Sequence, residues 1–265
     1  MLCAQPAENA RFDFVSIRRA AERDPGCSTR ISSPVQFSIH GCSVRGLISS
    51  AWGLRAWQMS LPKDAWISSI PWDVNAKSSM PVHPGDHWRM MQAVLRDRFA
   101  LKVHHETRQL PVYYLSVSKR GLKLSESKPG NGCRPFDHKS PPHPPAPGEA
   151  PYCDYLSMPE TKDRAGLQII GTELSISSLI APGLTMLLGR PVIDRTGLTG
   201  RYDIHLSFSM DSIPAFAASP IARGGDPAGW PDLFTAIRET GLDIESGKGP
   251  VDVLVVDSVQ QPSQN

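Results

Sequence analysis

The stretch Asp194-Arg195-Thr196-Gly197-Leu198-Thr199-Gly200-Arg201-Tyr202-Asp203 holds two carboxylates, two guanidinium groups and two glycines. An arginine presents a planar fork of donors that suits bidentate capture of a carboxylate or phosphate. Gly197 and Gly200 permit backbone turns that other residues resist. Arg195, Arg201 and Tyr202 are therefore candidate ligand-binding residues. Asp194 and Asp203 are candidate acid and base groups. The same residues also have a structural reading. Asp194 can accept backbone N–H bonds in an Asx-turn, and Asp203 can pair with Arg195 or Arg201.

His105 is the third acid–base candidate, as the partner an unfamiliar hydrolase site would need beside the two aspartates. It belongs to His104-His105-Glu106, in a run that reads as a strand. Alternation sends His104 to one face and His105 to the other, so they are poor partners for one ion. His83 and His87 are weak metal candidates, since Pro84 and Gly85 lie between them and zinc would need a further ligand. Exposed or capping histidines are the competing reading. His138 and His143 fall in a Pro-rich loop and read as solvent-facing. No cofactor is expected: there is no phosphate loop and no dinucleotide fingerprint. There is no Gly-x-Ser-x-Gly elbow either. Four of the six tryptophans are Trp52, Trp57, Trp66 and Trp72. Aromatic platforms bind sugars and peptides, and Trp favours half-wet positions. Trp52 and Trp72 read as core. Trp57 and Trp66, in or beside loops, are the ligand-binding candidates.

Bulk properties narrow the class. The chain has 265 residues and a net charge of +2, with no Lys/Arg cluster, so a nucleic-acid footprint is not expected. No apolar run reaches the length of a membrane span. The chain is read as a monomer that binds an unknown small molecule, peptide or protein. Besides Cys3, the cysteines are Cys27, Cys42, Cys133 and Cys153. Cys133 and Cys153 bracket the Pro-rich segment, where a crosslink would remove much unfolded-state entropy. Cys27 and Cys42 flank a turn-rich stretch. Four cysteines allow three pairings, and the sequence does not choose among them. Disulfides imply an oxidising compartment; the alternative is four buried thiols in the cytosol. Met1-Leu2-Cys3-Ala4-Gln5 reads either as the tail of a signal peptide or as an ordinary frayed terminus.

These residues must be positioned by a scaffold, and the scaffold reads as repeated. Gln36-Phe37 and Ser43-Val44-x-x-Leu47-Ile48 align with Gln168-Ile169 and Ser175-Ile176-x-x-Leu179-Ile180. Trp72-Asp73 aligns with Tyr202-Asp203. Pro111-Val112-x-x-Leu115-x-Val117 aligns with Pro250-Val251-x-x-Leu254-x-Val256. In the first copy, Gln36 to His40 predicts a strand and Ser43 caps a helix ended by Gly53. Strands follow at Trp57–Ser60 and Trp72–Ala76, with a loop around Trp66 between them. A helix spans about 86 to 99. Leu101–Thr107 and Val112–Ser118 read as two strands joined through Gln109-Leu110-Pro111. In the second copy, Gly166–Gly171 is a strand. Ser175 caps a helix that runs to about Leu188 and is kinked by Pro182. Strands at 191–193 and 201–209 follow, then a helix from Trp230 to Glu239. Leu242–Glu245 and Val251–Val256 close the copy as a hairpin.

The expected fold class is α+β. It comprises two tandem β-α-β-β-α-β-β repeats packed together, with mixed or antiparallel sheets and helices on one face. The boundaries are an N-terminal segment and strand at 1–34 (with a turn at Asp24-Pro25-Gly26), repeat units at 35–118 and 167–257, a Pro-rich linker at 119–166 and a tail at 258–265.

Four segments carry a family likeness: Phe12-Asp13-Phe14-Val15-Ser16-Ile17, the run from Leu95 to Thr107, Gly189-Arg190-Pro191-Val192-Ile193 through Asp203, and Lys248 through Asp257. Together they resemble the DUF3738 domain, a soil-associated family of uncharacterised proteins expanded in acidobacteria. The resemblance spans nearly the whole chain. It implies a bacterial soil origin and export, hence a secreted or periplasmic protein. Family members fused to membrane sensor-peptidase domains of the BlaR type imply an extracytoplasmic sensing or binding role. The family brings no established reaction, so no catalytic residue is carried over. The repeating pattern is also similar to the short N-terminal domains of secretins and TonB-dependent receptors, by analogy alone. The expectation is an exported binding or sensing module for a peptide, glycan or partner protein. The alternative is a hydrolase with a carboxylate and histidine site.

Overall fold

A computed structural model describes residues 11–24, 27–82, 86–128, 130, 132–135, 149–159, 166–213 and 229–262. His83, His138, His143, the Pro25-Gly26 turn, the Met1–Gln5 start and the Pro141–Pro147 run lie outside these residues. The fold is α+β. Its chain divides into two units: residues 1–108 with 251–265, and residues 109–250.

The first unit opens with β1 (Phe14–Arg19), β2 (Thr29–Ser33) and β3 (Gln36–Ser43). Helix α1 (Val44–Trp52) follows, then β4 (Met59–Ser60), α2 (Trp66–Ser69), β5 (Pro71–Lys77), α3 (Asp86–Arg98) and the start of β6 (Lys102–Val117). Strands β1, β5, β3 and β2 lie side by side in that order, every neighbouring pair antiparallel. Alternation buries Phe37 and Ile39 of β3 and Trp72, Val74 and Ala76 of β5 on one face. Helix α1 covers that face with Val44, Leu47, Ile48 and Ala51, the apolar stripe that its spacing predicts. The Ser43 hydroxyl accepts the Gly46 N–H at its start, and Gly53 ends it at φ 64°. Met91, Val94 and Leu95 of α3 complete the core.

In the second unit the chain order is β7 (Gly166–Ser175), α4 (Ile176–Ser178), a π-type turn (Leu179–Leu184), α5 (Thr185–Leu188), β8 (Val192–Asp194), β9 (Arg201–Ser209), α6 (Leu233–Glu239) and the start of β10 (Leu242–Ser258). The expected kink is at Ala181, whose extended φ of −124° and ψ of 114° reflect the restriction on a residue before proline. β7 and β9 pair antiparallel, and β8 runs parallel to Tyr113–Leu115 of β6. Leu167, Ile169, Leu174, Ile204, Leu206 and Phe208 are buried under α6 and the kinked helix. Helix α6 begins later than the expected start at Trp230, because Asp232 caps it by accepting the Thr235 N–H.

Four local expectations are corrected. Trp57 starts no strand: Ala56–Gln58 form a 3-10 turn, with the Gln58 side chain accepting the Arg55 N–H. Trp66 opens a helical turn rather than sitting in a loop, and the Ser69 hydroxyl donates to the Ala65 carbonyl there. Gln109-Leu110-Pro111 does not break β6, since a residue before proline is pushed toward the extended region and lengthens a strand. The closing hairpin is likewise one strand, β10. Its Gly247 and Gly249 make room instead of turning: a Cβ there would lie 2.8 Å from the Tyr114 ring and 2.7 Å from its hydroxyl, respectively.

Candidate functional site

The Asp194–Asp203 stretch leaves β8, turns, and enters β9. Asp194 accepts both the N–H and the hydroxyl of Thr196 at 2.8 and 2.7 Å, a side-chain turn. Next to it, the Arg195 guanidinium sits over the Tyr114 ring, its central carbon 3.4 Å from the centroid. The Tyr114 hydroxyl donates to the Lys248 carbonyl. An arginine stacked this way keeps its edge N–H groups in solvent with its orientation fixed.

Arg201 and Asp203 join a different network. Arg201 donates to the Glu173 carbonyl at 2.9 Å and stands 3.3 Å from an Asp154 carboxylate oxygen. The other Asp154 oxygen accepts from the Ser175 N–H and hydroxyl, and that hydroxyl touches Ser177 and Ser178. Burial opposes ionisation of Asp154, but bonds from Ser175 and Ser178 and the Arg201 charge outweigh it and hold its pKa low. Asp203 accepts the Ser127 hydroxyl at 2.7 Å and the Glu173 N–H at 3.1 Å. Glu173 sits at φ 50° inside a bulge of β7. Tyr202 is buried and pairs with Leu174 across the ladder.

In the first unit, the imidazole of His105 meets Asp252 at 2.8 Å, exposed to solvent. His104 bridges Asp257 at 2.8 Å and Glu106 at 3.0 Å, and Arg108 pairs with Glu106. His87 is buried and stacked on the Phe37 ring at 5.2 Å. Trp57 and Trp66 are half-buried, with Trp66 packed on the first core.

The disulfides are Cys27–Cys42 and Cys133–Cys153. Among the described residues one grouping brings metal-type ligand atoms within 4.8 Å: Cys133, Cys153 and Glu173. Its sulfurs are bonded to each other and offer no thiolate.

Candidate residues thus sort into local networks. Arg201 and Asp203 meet around Glu173, while Asp194 stays with Thr196 and Arg195 with Tyr114. Their strand leads into a feature that side-chain reasoning missed. Beside the middle of β9 lies a cleft of about 480 Å³, lined by Lys123, His205, Ser207, Trp230, Ala236 and Glu239 among others. The outer edge of β9 is bonded at both ends of this cleft. The Arg201 carbonyl accepts the Ser127 N–H, the Asp203 N–H donates to Ser125, and the Ser209 N–H donates to Pro231. No sequence signal singled out His205, which belongs to the polar half of an alternating strand.

No helix among the described residues is long and apolar enough to cross a membrane. No curated protein and no solved structure matches the chain. One family profile does match, over residues 45–259: the one described as "Protein of unknown function (DUF3738)".

Proposed function

We propose that this chain, which belongs to the DUF3738 family, is an exported binding or sensing module whose ligand sits in the cleft beside β9. The carrying observation is the cleft itself: a preformed concavity of about 480 Å³ between a strand edge, the Trp230 indole and α6. Ligand sites are characteristically preformed clefts of this size with a few polar groups set in a rigid frame. Here the frame is α6 with its Asp232 cap and a strand edge whose ends are bonded to neighbouring segments.

Two disulfides support a location outside the cytoplasm, secreted or periplasmic, because such crosslinks persist in oxidising compartments. The scaffold is proposed as two copies of one unit. β3 and β7 each carry a bulge just before a helix-capping serine, Ser43 or Ser175. In both, an aspartate of the partner strand accepts the N–H of the bulged residue: Asp73 from Gly41, Asp203 from Glu173. That shared role favours binding over hydrolysis for the second copy. Asp203 and Asp194 spend their carboxylates on a bulge and a turn, so acid–base work would require giving up those bonds.

The test is thermal-shift and tryptophan-fluorescence titration of the oxidised chain against a heptapeptide library and an oligosaccharide panel. A hit that raises Tm and is lost in Trp230→Ala is the expected result. Hits unaffected by Trp230→Ala and by Lys123→Ala would place the site elsewhere.

A further inference from the structure

We infer that the occupant of this cleft is an extended segment of a partner polypeptide, bound by adding a short strand to β9 at His205 and Ser207; the inference rests on the binding reading above. In an antiparallel ladder, alternate residues direct both N–H and C=O to the same side of the strand. On β9 the residues that bond outward are Arg201, Asp203 and Ser209. By that alternation, His205 and Ser207 also present their N–H and C=O outward. Neither is hydrogen-bonded there among the described residues, and both line the cleft.

The interruption has a visible cause. The chain that pairs with β9 at Ser125 and Ser127 diverges just before: the Lys123 N–H donates to Thr240 instead. The far end is closed by Pro231. Asp203 and Ser209 are about 20 Å apart along an extended strand, leaving room for roughly three residues between the flanking bonds. A donor and acceptor at His205, followed by the same pair at Ser207, is complementary to another extended main chain. A sugar ring does not repeat that order. The flanking segments would obstruct the long edge of a folded sheet, which excludes a second copy pairing edge to edge. Charge narrows the occupant further. Lys123 and Glu239 stand on the rim with no ion-pair partner among the described residues. A segment with an acidic and a basic side chain near one another satisfies both.

The experiment pans a random heptapeptide phage library on the immobilised oxidised protein, with a glycan array run in parallel. Selected peptides are then resynthesised with single backbone N-methyl groups at each position. Loss of binding by about tenfold or more at alternate positions only is expected, because each such methyl removes a donor to the β9 edge. Ser207→Pro, with Tm measured alongside, is the protein-side counterpart. An N-methyl scan that is flat, or binding confined to glycans, overturns strand addition while leaving a binding module. Failure of both libraries to yield any binder overturns the binding reading itself.

Discussion

His104 shows how much chemistry an exposed residue can carry without being a site. Its two ring nitrogens meet Asp257 and Glu106. The bond from Glu106, and then that from Asp257, raises its pKa above the ordinary 6.5. A group whose folded pKa is raised stabilises the fold fully below its unfolded value and loses that contribution as pH climbs through the raised value. The Tm advantage of the native chain over His104→Gln is therefore largest below the ordinary imidazole value of 6.5 and shrinks as pH rises above it. An advantage that grows with pH would contradict the bridging geometry. Reading residue types alone singled out His105, whose ring meets one carboxylate among the described residues, Asp252. The adjacent His104 has the richer environment, because Glu106, two residues on and on the same face of β6, adds a second carboxylate to the one Asp257 brings from a distant part of the sequence. Asp203 has the same lesson. Its pairing to the Glu173 N–H depends on a bulge that no residue type announces.

The two bulges set the element scale. Gly41, at φ 60°, and Glu173, at φ 50°, occupy the left-handed region at equivalent places before the capping serines. A Cβ on Gly41 would come within 2.6 Å of the Asp24 nitrogen. Gly41→Ala should therefore lower stability by more than about 2 kcal/mol, combining a strained φ with a backbone clash. Glu173→Gly should instead be neutral or stabilising by up to about 1 kcal/mol, since glycine adopts that conformation without strain. Urea unfolding of both variants checks the contrast, and equal losses would show that the bulges are not equivalent. Helix α1 was legible because cap, stripe and stop all agree locally. Strands β6 and β10 were misread as pairs because Pro111, Gly247 and Gly249 look like punctuation. Whether a glycine turns the chain or clears space for Tyr114 is decided by a residue over a hundred positions away.

At the scale of the whole molecule the fold class was legible in the sequence, whereas the pairs Cys27–Cys42 and Cys133–Cys153 are one of three pairings that the sequence left open. The cleft was not legible, since it lies where segment 123–127 parts from β9, leaving the outward main-chain groups of His205 and Ser207 without a partner among the described residues. The first unit is discontinuous in sequence: it needs residues 251–265, and Leu254 and Val256 are buried in its core. Leu254 also pairs with Met59 of β4. Leu254→Ala should cost about 2–5 kcal/mol. Hydrogen exchange should show the loss first at β3, β5 and α1, and exchange that accelerated only in residues 109–250 would contradict the assignment. The same discontinuity has a bearing on birth order. As the ribosome delivers the chain, the continuous second unit has all its residues by Pro250, while the first lacks Leu254 and Val256 of its core until those have also emerged. The residues before Gln109 must wait, incompletely buried, for the strand that carries Leu254 and Val256. A premature stop between the cleft and Leu254 should therefore cost the part of the protein made first.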